Sequence, residues 1–276
     1  MKPAALFASV ALLVSDLGIG RSAEEPFQVD LRVDLPLTLA LGAYSLVSEI
    51  VIPHLDGPAC GPLCDPAGIN ALDRTVIGNR SALAANLSDA GFASMIALPH
   101  VLGALDRLAA GSGGDIQGYA TDSLLVLQAL SANFLLTNLV KLAARRPRPY
   151  AHDPAVSEER RRSAEASLSF YSGHSSTAFA MATAYGLIYQ ARHPESPSRF
   201  AVWAGGYLLA SGVALCRVAA GKHFWTDVLA GAAAGSLVGW LVVELHRRPE
   251  EAETAAGSGD ISFSAGPGGA SLALRW

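Results

Sequence analysis

The residues best suited to chemistry lie in the stretch 216–227, Cys-Arg-Val-Ala-Ala-Gly-Lys-His-Phe-Trp-Thr-Asp. Arg217 stands six residues before His223, and Asp227 four after it. If Thr226 and Asp227 open the apolar helix that follows, i to i+4 spacing places the carboxylate on the face that carries the imidazole. A carboxylate there takes the Nδ1 proton of His223 and leaves Nε2 free to attack an electrophile. Arg217 adds a planar, permanently charged fork of five donors, the side chain best matched to phosphate oxygens. Taken alone, these three residues fit an ordinary helix-start histidine beside a surface acid slightly better.

Two further stretches change that balance. One is 141–149, Lys-Leu-Ala-Ala-Arg-Arg-Pro-Arg-Pro, and the other is 170–176, Phe-Tyr-Ser-Gly-His-Ser-Ser. In chain order the three read Lys-x6-Arg-Pro, then Ser-Gly-His, then Arg-x5-His-x3-Asp. This resembles the signature of the type 2 phosphatidic-acid phosphatase superfamily, which also holds the vanadium haloperoxidases and the bacterial class A acid phosphatases. The resemblance spans about residues 124–245 and rests on Lys141, Arg148, Pro149, Ser172, Gly173, His174, Arg217, His223 and Asp227. Tyr171 stands where Pro usually precedes Ser-Gly-His, and Cys216 where Ser usually precedes Arg. Both departures bear on loop shape and substrate rather than on reaction type.

The resemblance implies a phosphohistidine route. His223 attacks phosphorus, Asp227 orients it, and His174 protonates the departing alcohol, with no metal and no other cofactor required. Lys141, Arg148 and Arg217 supply cations for a phosphate that carries close to two negative charges, whose transfer depends on positioning and charge stabilisation. Ser172 and Gly173 complete the phosphate-binding set that the resemblance implies: Ser172 suits an N-cap, and Gly173 lets backbone approach the ligand. The free N–H groups at that helix start make a ready anion site. Arg145, Arg146 and Lys222 read as solvated neighbours of this set. A soluble-type acid phosphatase, a vanadate-dependent haloperoxidase and a non-catalytic binder of lipid phosphate are the alternative readings.

The elements that must position these residues are apolar. Of 276 residues, 51% are hydrophobic and only 16% charged. Mean hydropathy is +0.32. Water-soluble domains usually carry nearer a quarter charged residues. A net charge of −4 offers no broad basic face, which argues against nucleic acid as a partner. The fold expected is all-α, a six-helix bundle embedded in the membrane, with its segments near 35–53, 87–105, 123–142, 174–189, 200–216 and 228–245. Glu49, Gln128, Asn133 and Asn138 fall inside these segments and are expected to face other helices. Gly231, Gly235 and Gly239, four apart, form a bare stripe for close helix packing, and Gly205 and Gly206 are read the same way.

The organisation that follows has four parts. Residues 1–23 read as a signal peptide or N-terminal anchor, with the apolar run 4–14 too short to span a bilayer. Residues 24–122 hold the first helices and a Pro/Gly-rich loop in which Cys60 and Cys64 could pair as a disulfide or remain thiols. Residues 123–248 form the catalytic core, and 249–276 a tail whose end alternates around a turn as a short β-hairpin does. Within the core, the long loop 143–171 carries the charge run 158–162, read as a solvated polar cover over the site. The expected substrate is a lipid phosphate, because the cations sit at the ends of apolar segments, at head-group depth. The expected location is the cell membrane, multi-pass, with the site facing outside or the periplasm; a soluble or peripheral periplasmic protein is the alternative. The sequence carries no reading of oligomeric state.

Overall fold

The computed structural model describes residues 25–109, 115–248, 261–266 and 269–274. The leader expected over 1–23 and the linker 249–260 lie outside the described residues. Six long helices carry the fold: α1 Asp34–Val51, α2 Ala82–Ala109, α3 Ile116–Ala144, α4 Gly173–Arg192, α5 Ser198–Ala219 and α6 Trp225–Leu245. Short helical turns, Ala71–Arg74, Pro149–His152, Glu158–Arg161 and Ala164–Ser167, occupy the connections on the side of the motifs. Strands Ile261–Gly266 and Gly269–Leu274 pair antiparallel as a hairpin.

α4 is the central post and packs against α2, α3, α5 and α6, while α1 leans on α3. Its composition suits that place. Ser175, Ser176, Thr177, Ala178, Ala180 and Ala184 are all fully buried, so the helix is surrounded by protein and presents small or hydroxylated side chains to its neighbours. The hydroxyls are satisfied across helices: Asn133 Nδ2 on α3 donates to Thr177 Oγ1 at 3.0 Å, and Ser175 Oγ donates to the Val228 carbonyl on α6 at 2.8 Å. Gln128 and Asn138 are likewise buried, on Asp34 and Ser48. The outer helices face the other way. Leu87 and Leu105 on α2, Leu208 on α5 and Leu237 and Leu241 on α6 are exposed. Among the described residues four helices, α2, α3, α5 and α6, are long and apolar enough to cross a membrane. An exterior of exposed leucines on such helices belongs in hydrocarbon rather than in water, and the chain is a membrane protein.

The glycine stripe explains how α6 reaches α4. A Cβ on Gly231 would stand 2.7 Å from the Ser172 carbonyl, and one on Gly239 2.5 Å from that of Ala180; at Gly235 it would overlap the Ser176 carbonyl. The two helix backbones therefore meet with no side chain between them. On α5 the pattern holds for Gly206, whose missing Cβ would stand 3.3 Å from that of Ala182. Gly205 meets nothing within 4 Å, so its expected packing role is corrected: one residue along a helix turns it to another face.

At the end far from the motifs, Asp122 on α3 takes Arg192 of α4 at 2.7 Å and Arg107 of α2 at 2.9 Å. Residues 26–28 pair there with 246–248, bringing the start of the described chain beside the end of α6. The bundle is thus tied at one end by ion pairs, and the other end is shaped by loops.

Candidate active site

The loop end gathers all three motifs. Lys141 lies in the last turn of α3, which stops before Pro147 and Pro149; Arg148 follows in extended backbone. Gly173 and His174 open α4, and Arg217 closes α5. Gly221, at φ 65°, turns the chain back toward His223; the Asn79 carbonyl fills the place of its missing Cβ. A cavity of about 500 Å³ is lined by Lys141, Arg148, Gly173, His174, Arg217 and His223, with Glu165 among its polar groups and Ile52, Phe92, Phe134 and Leu168 forming apolar wall. Lys141 Nζ stands 3.3 Å from where a Cβ on Gly173 would be, so the missing side chain gives the ammonium its place.

His223 is 1% exposed. Its Nδ1 lies 2.8 Å from the Ser169 carbonyl, which can only accept, so the proton is on Nδ1 and the lone pair on Nε2. Burial first, then the charges of Arg148, Arg217 and Lys141, push its pKa well below the ordinary imidazole value. The imidazole is neutral at neutral pH.

Asp227 is placed differently from the expectation. His223 precedes α6 rather than riding on it, so i to i+4 does not bring the carboxylate against the ring; Asp227 Oδ2 is 3.8 Å from Nδ1. The carboxylate instead accepts from the Phe224 N–H at 2.8 Å, capping α6, and from the Ser169 hydroxyl at 2.5 Å. Ser169 therefore joins the two, giving its carbonyl to His223 and its hydroxyl to Asp227. Ser172, expected among the phosphate ligands, is also corrected. Fully buried and outside the cavity wall, its hydroxyl accepts the Ser175 N–H at 3.3 Å as the α4 cap.

Arg146 is not a solvated neighbour. Nη2 pairs with Asp73 at 2.8 Å, Nη1 with Asp227 at 2.6 Å and with Thr226 Oγ1 at 2.7 Å, and the guanidinium stacks 4.4 Å from the Phe224 ring centre. Burial alone would raise the pKa of Asp73, but hydrogen bonds from Thr226, Arg146 and Asn70 outweigh it and hold the carboxyl below its ordinary range. Arg145 is also engaged, on the Asp56 carbonyl, and the Lys222 carbonyl lies 3.4 Å from Arg148 Nη1.

The cover over the cavity lies one step along from the place expected. Glu158, Glu159, Arg160 and Arg162 are exposed, and Ser163, Ala164, Glu165 and Leu168 supply the wall. Glu165 pairs with Arg148 Nη2 at 3.0 Å and accepts Arg148 Nε on its carbonyl at 2.9 Å. The Arg148 charge holds its carboxyl below the ordinary range. Cys60 and Cys64 are joined in a disulfide on this same side, where the Cys64 carbonyl stands 3.1 Å from His152 Nδ1.

Asp89, whose Oδ1 lies 2.9 Å from both His174 Nε2 and Arg217 Nη1, and Asp73, Ser169 and Glu165 are not legible in the sequence as site residues. Asp89 and Asp73 lie far upstream of the motifs, and no local spacing links them to their partners. The one usable signal was for Ser169, which sits three residues before the Ser172 cap.

Fold and site define an all-α membrane bundle holding a cavity lined by Lys141, Arg148 and Arg217 around one buried, neutral imidazole. Residues 122–250 match the model of the PAP2 superfamily. A lipid A 1-phosphatase of Porphyromonas gingivalis is 41% identical over 90 residues; the match covers 30% of this chain and 18% of that protein. The chain thus spans under a fifth of the length of this relative. A crystal structure of a transmembrane PAP2-type phosphatidylglycerolphosphate phosphatase from Bacillus subtilis aligns with a TM-score of 0.49 and 22% identity, over 75% of this chain and 94% of that one.

Proposed function

We propose that this protein is a metal-independent phosphatase that hydrolyses a lipid phosphomonoester through a phosphohistidine formed on His223. The observation that carries this is the buried imidazole with Nδ1 held by Ser169, its lone pair on Nε2, in a cavity that also holds Lys141, Arg148 and Arg217. Three cations around one neutral nucleophile suit a dianionic ester and the charge it spreads over its oxygens in transfer. Nε2 forms the bond to phosphorus as the ester P–O bond breaks, and His174 gives its proton to the leaving oxygen. Water then attacks the phosphohistidine, its proton returning to His174, and inorganic phosphate leaves.

Three features favour a lipid over a soluble ester. The cavity is walled by Ile52, Phe92 and Phe134, on helices whose outer faces are apolar. The cations stand at helix ends, so a phosphate reaches them while acyl chains stay in hydrocarbon. The Porphyromonas gingivalis relative is named for a lipid phosphate. Phosphate release by purified protein in mixed micelles tests this. Catalytic efficiency on a long-chain lipid phosphate should exceed that on a short-chain soluble phosphate by roughly 100-fold or more, the worth of a few buried methylenes. Turnover should persist in EDTA. Equal efficiency on both esters would overturn the lipid assignment, and loss with EDTA the metal independence.

The site opens on the outer side of the membrane in this reading. Its warrant is the Cys60–Cys64 disulfide on the same face, since disulfides persist in oxidising compartments. An impermeant thiol reagent should label a cysteine placed at exposed Glu159 in intact cells. Protection until lysis would place the site inside.

A further inference from the structure

The helix that lies ahead of the family segment reaches into the site with one face. Asp89, on α2, places Oδ1 2.9 Å from His174 Nε2 and 2.9 Å from Arg217 Nη1. One residue before it, fully buried Ser88 accepts Arg217 Nη1 on its hydroxyl at 3.1 Å. Three residues after it, the Phe92 ring lies against the His174 ring, centroids 4.5 Å apart and planes 33° from parallel. Spacing of three along a helix puts Asp89 and Phe92 on one face. That face grips the edge and the flat of the same imidazole.

We propose that Asp89 is a positioning residue for the leaving-group proton, holding His174 by Nε2 so that Nδ1–H is presented to the departing oxygen. The inference rests on the reading of His174 given above. A protonated imidazole has two N–H donors. A carboxylate on one of them fixes the ring and raises its pKa, while the other N–H stays available. It acts against burial and the charge of Arg217, which push the pKa down to about 3; a phosphate dianion beside the ring offsets the cationic part. Nδ1 of His174 has no hydrogen-bond partner among the described residues, and the side chain lines the cavity. Phe92 restricts the remaining freedom, rotation of the ring about its plane. The same carboxylate oxygen takes Arg217, so the proton donor and a phosphate-holding cation are set within two hydrogen-bond lengths of each other. The proton leaves His174 as the P–O bond breaks and is regained from the attacking water in the second step; Asp89 remains ionised throughout.

A merely structural Asp89 and one that acts through His174 give different substrate dependence. The enzyme is measured on a long-chain alkyl phosphate, whose alkoxide needs a proton, and on nitrophenyl phosphate, whose phenolate departs without one. His174→Ala should lose roughly 100- to 10,000-fold on the first and far less on the second, the range a general acid supplies. Asp89→Asn should lose about 30-fold or more on the alkyl ester and about 3-fold or less on the nitrophenyl ester, a part of that same range. Asp89→Glu should recover part of the loss, and the double variant Asp89→Asn, His174→Ala should be no slower than His174→Ala alone. Equal losses of Asp89→Asn on both esters, a gain of activity, or additive losses in the double variant would overturn the role of Asp89. If His174→Ala itself lost equally on both esters, the reading of His174 would fall, and this inference with it. Unfolding midpoints in detergent keep the comparison honest, because a misfolded Asp89→Asn loses both activities where Asp89→Glu does not.

Discussion

His223→Ala is expected to lower phosphate release by roughly 10,000-fold or more on every ester, because in the proposed reaction it removes the atom that bonds to phosphorus. The loss should not depend on the leaving group, which separates it from substitutions at His174. Enzyme quenched in base during turnover should carry phosphate on an imidazole, and His223→Ala should carry none. Label retained in that variant would move the nucleophile elsewhere. The protonation state of His223 is open to direct measurement. Burial and the three neighbouring cations hold it neutral, so nitrogen NMR of labelled histidine in detergent should show the Nδ1–H tautomer at pH 7. It should show no titration of this ring through the ordinary imidazole range. The sign of the stability effect follows. A ring whose pKa is depressed in the fold takes up its proton more readily when unfolded. Its stabilising effect is complete above the ordinary imidazole range and is lost as pH falls toward the depressed value. Titration of His223 near 6.5 would show that the cations do not act on it as placed.

The largest stability effect is expected at Arg146, where Arg146→Met should cost about 3–5 kcal/mol. The side chains of Asp73 and Asp227 are both fully buried, and this guanidinium bridges them at 2.8 and 2.6 Å. Removing it leaves two carboxylates without their counter-charge in a protein interior. Arg146→Lys keeps the charge, yet an ammonium cannot span two carboxylates as a planar fork does, so it should fold and still lose turnover. Asp73→Asn in the Arg146→Met background should restore part of the stability by removing one of the unpaired charges. Unfolding in detergent measures all three. A cost below about 1 kcal/mol for Arg146→Met would mean that water reaches the two carboxylates and the pairing contributes little. The consequence for turnover runs through Asp227, whose carboxylate holds Ser169 and the start of α6, and through Ser169 to His223.

What the sequence determined by itself was the set of cations and imidazoles and the elements that end beside them. Lys141, Arg148, His174, Arg217 and His223 were legible because each stands at fixed spacing within its own motif, at the end of an apolar run. Helix ends are local properties, written in Pro147, Pro149 and Ser172. The four-residue period of Gly231, Gly235 and Gly239 likewise declared a packing face. Tertiary structure alone decided who faces that stripe and who stands behind the site. Asp73 and Asp89 lie some seventy residues or more before the groups they hold, and periodicity reports that a face is buried without naming what lies across it. The proton on His223 shows the same limit at finer scale. Spacing placed Asp227 near the ring, but a helix that begins two residues later than the histidine moved the carboxylate to 3.8 Å and left the Ser169 carbonyl at 2.8 Å. Hydrogen bonds are decided over tenths of an ångström, a scale set by how α3, α4 and α6 meet rather than by any one of their sequences.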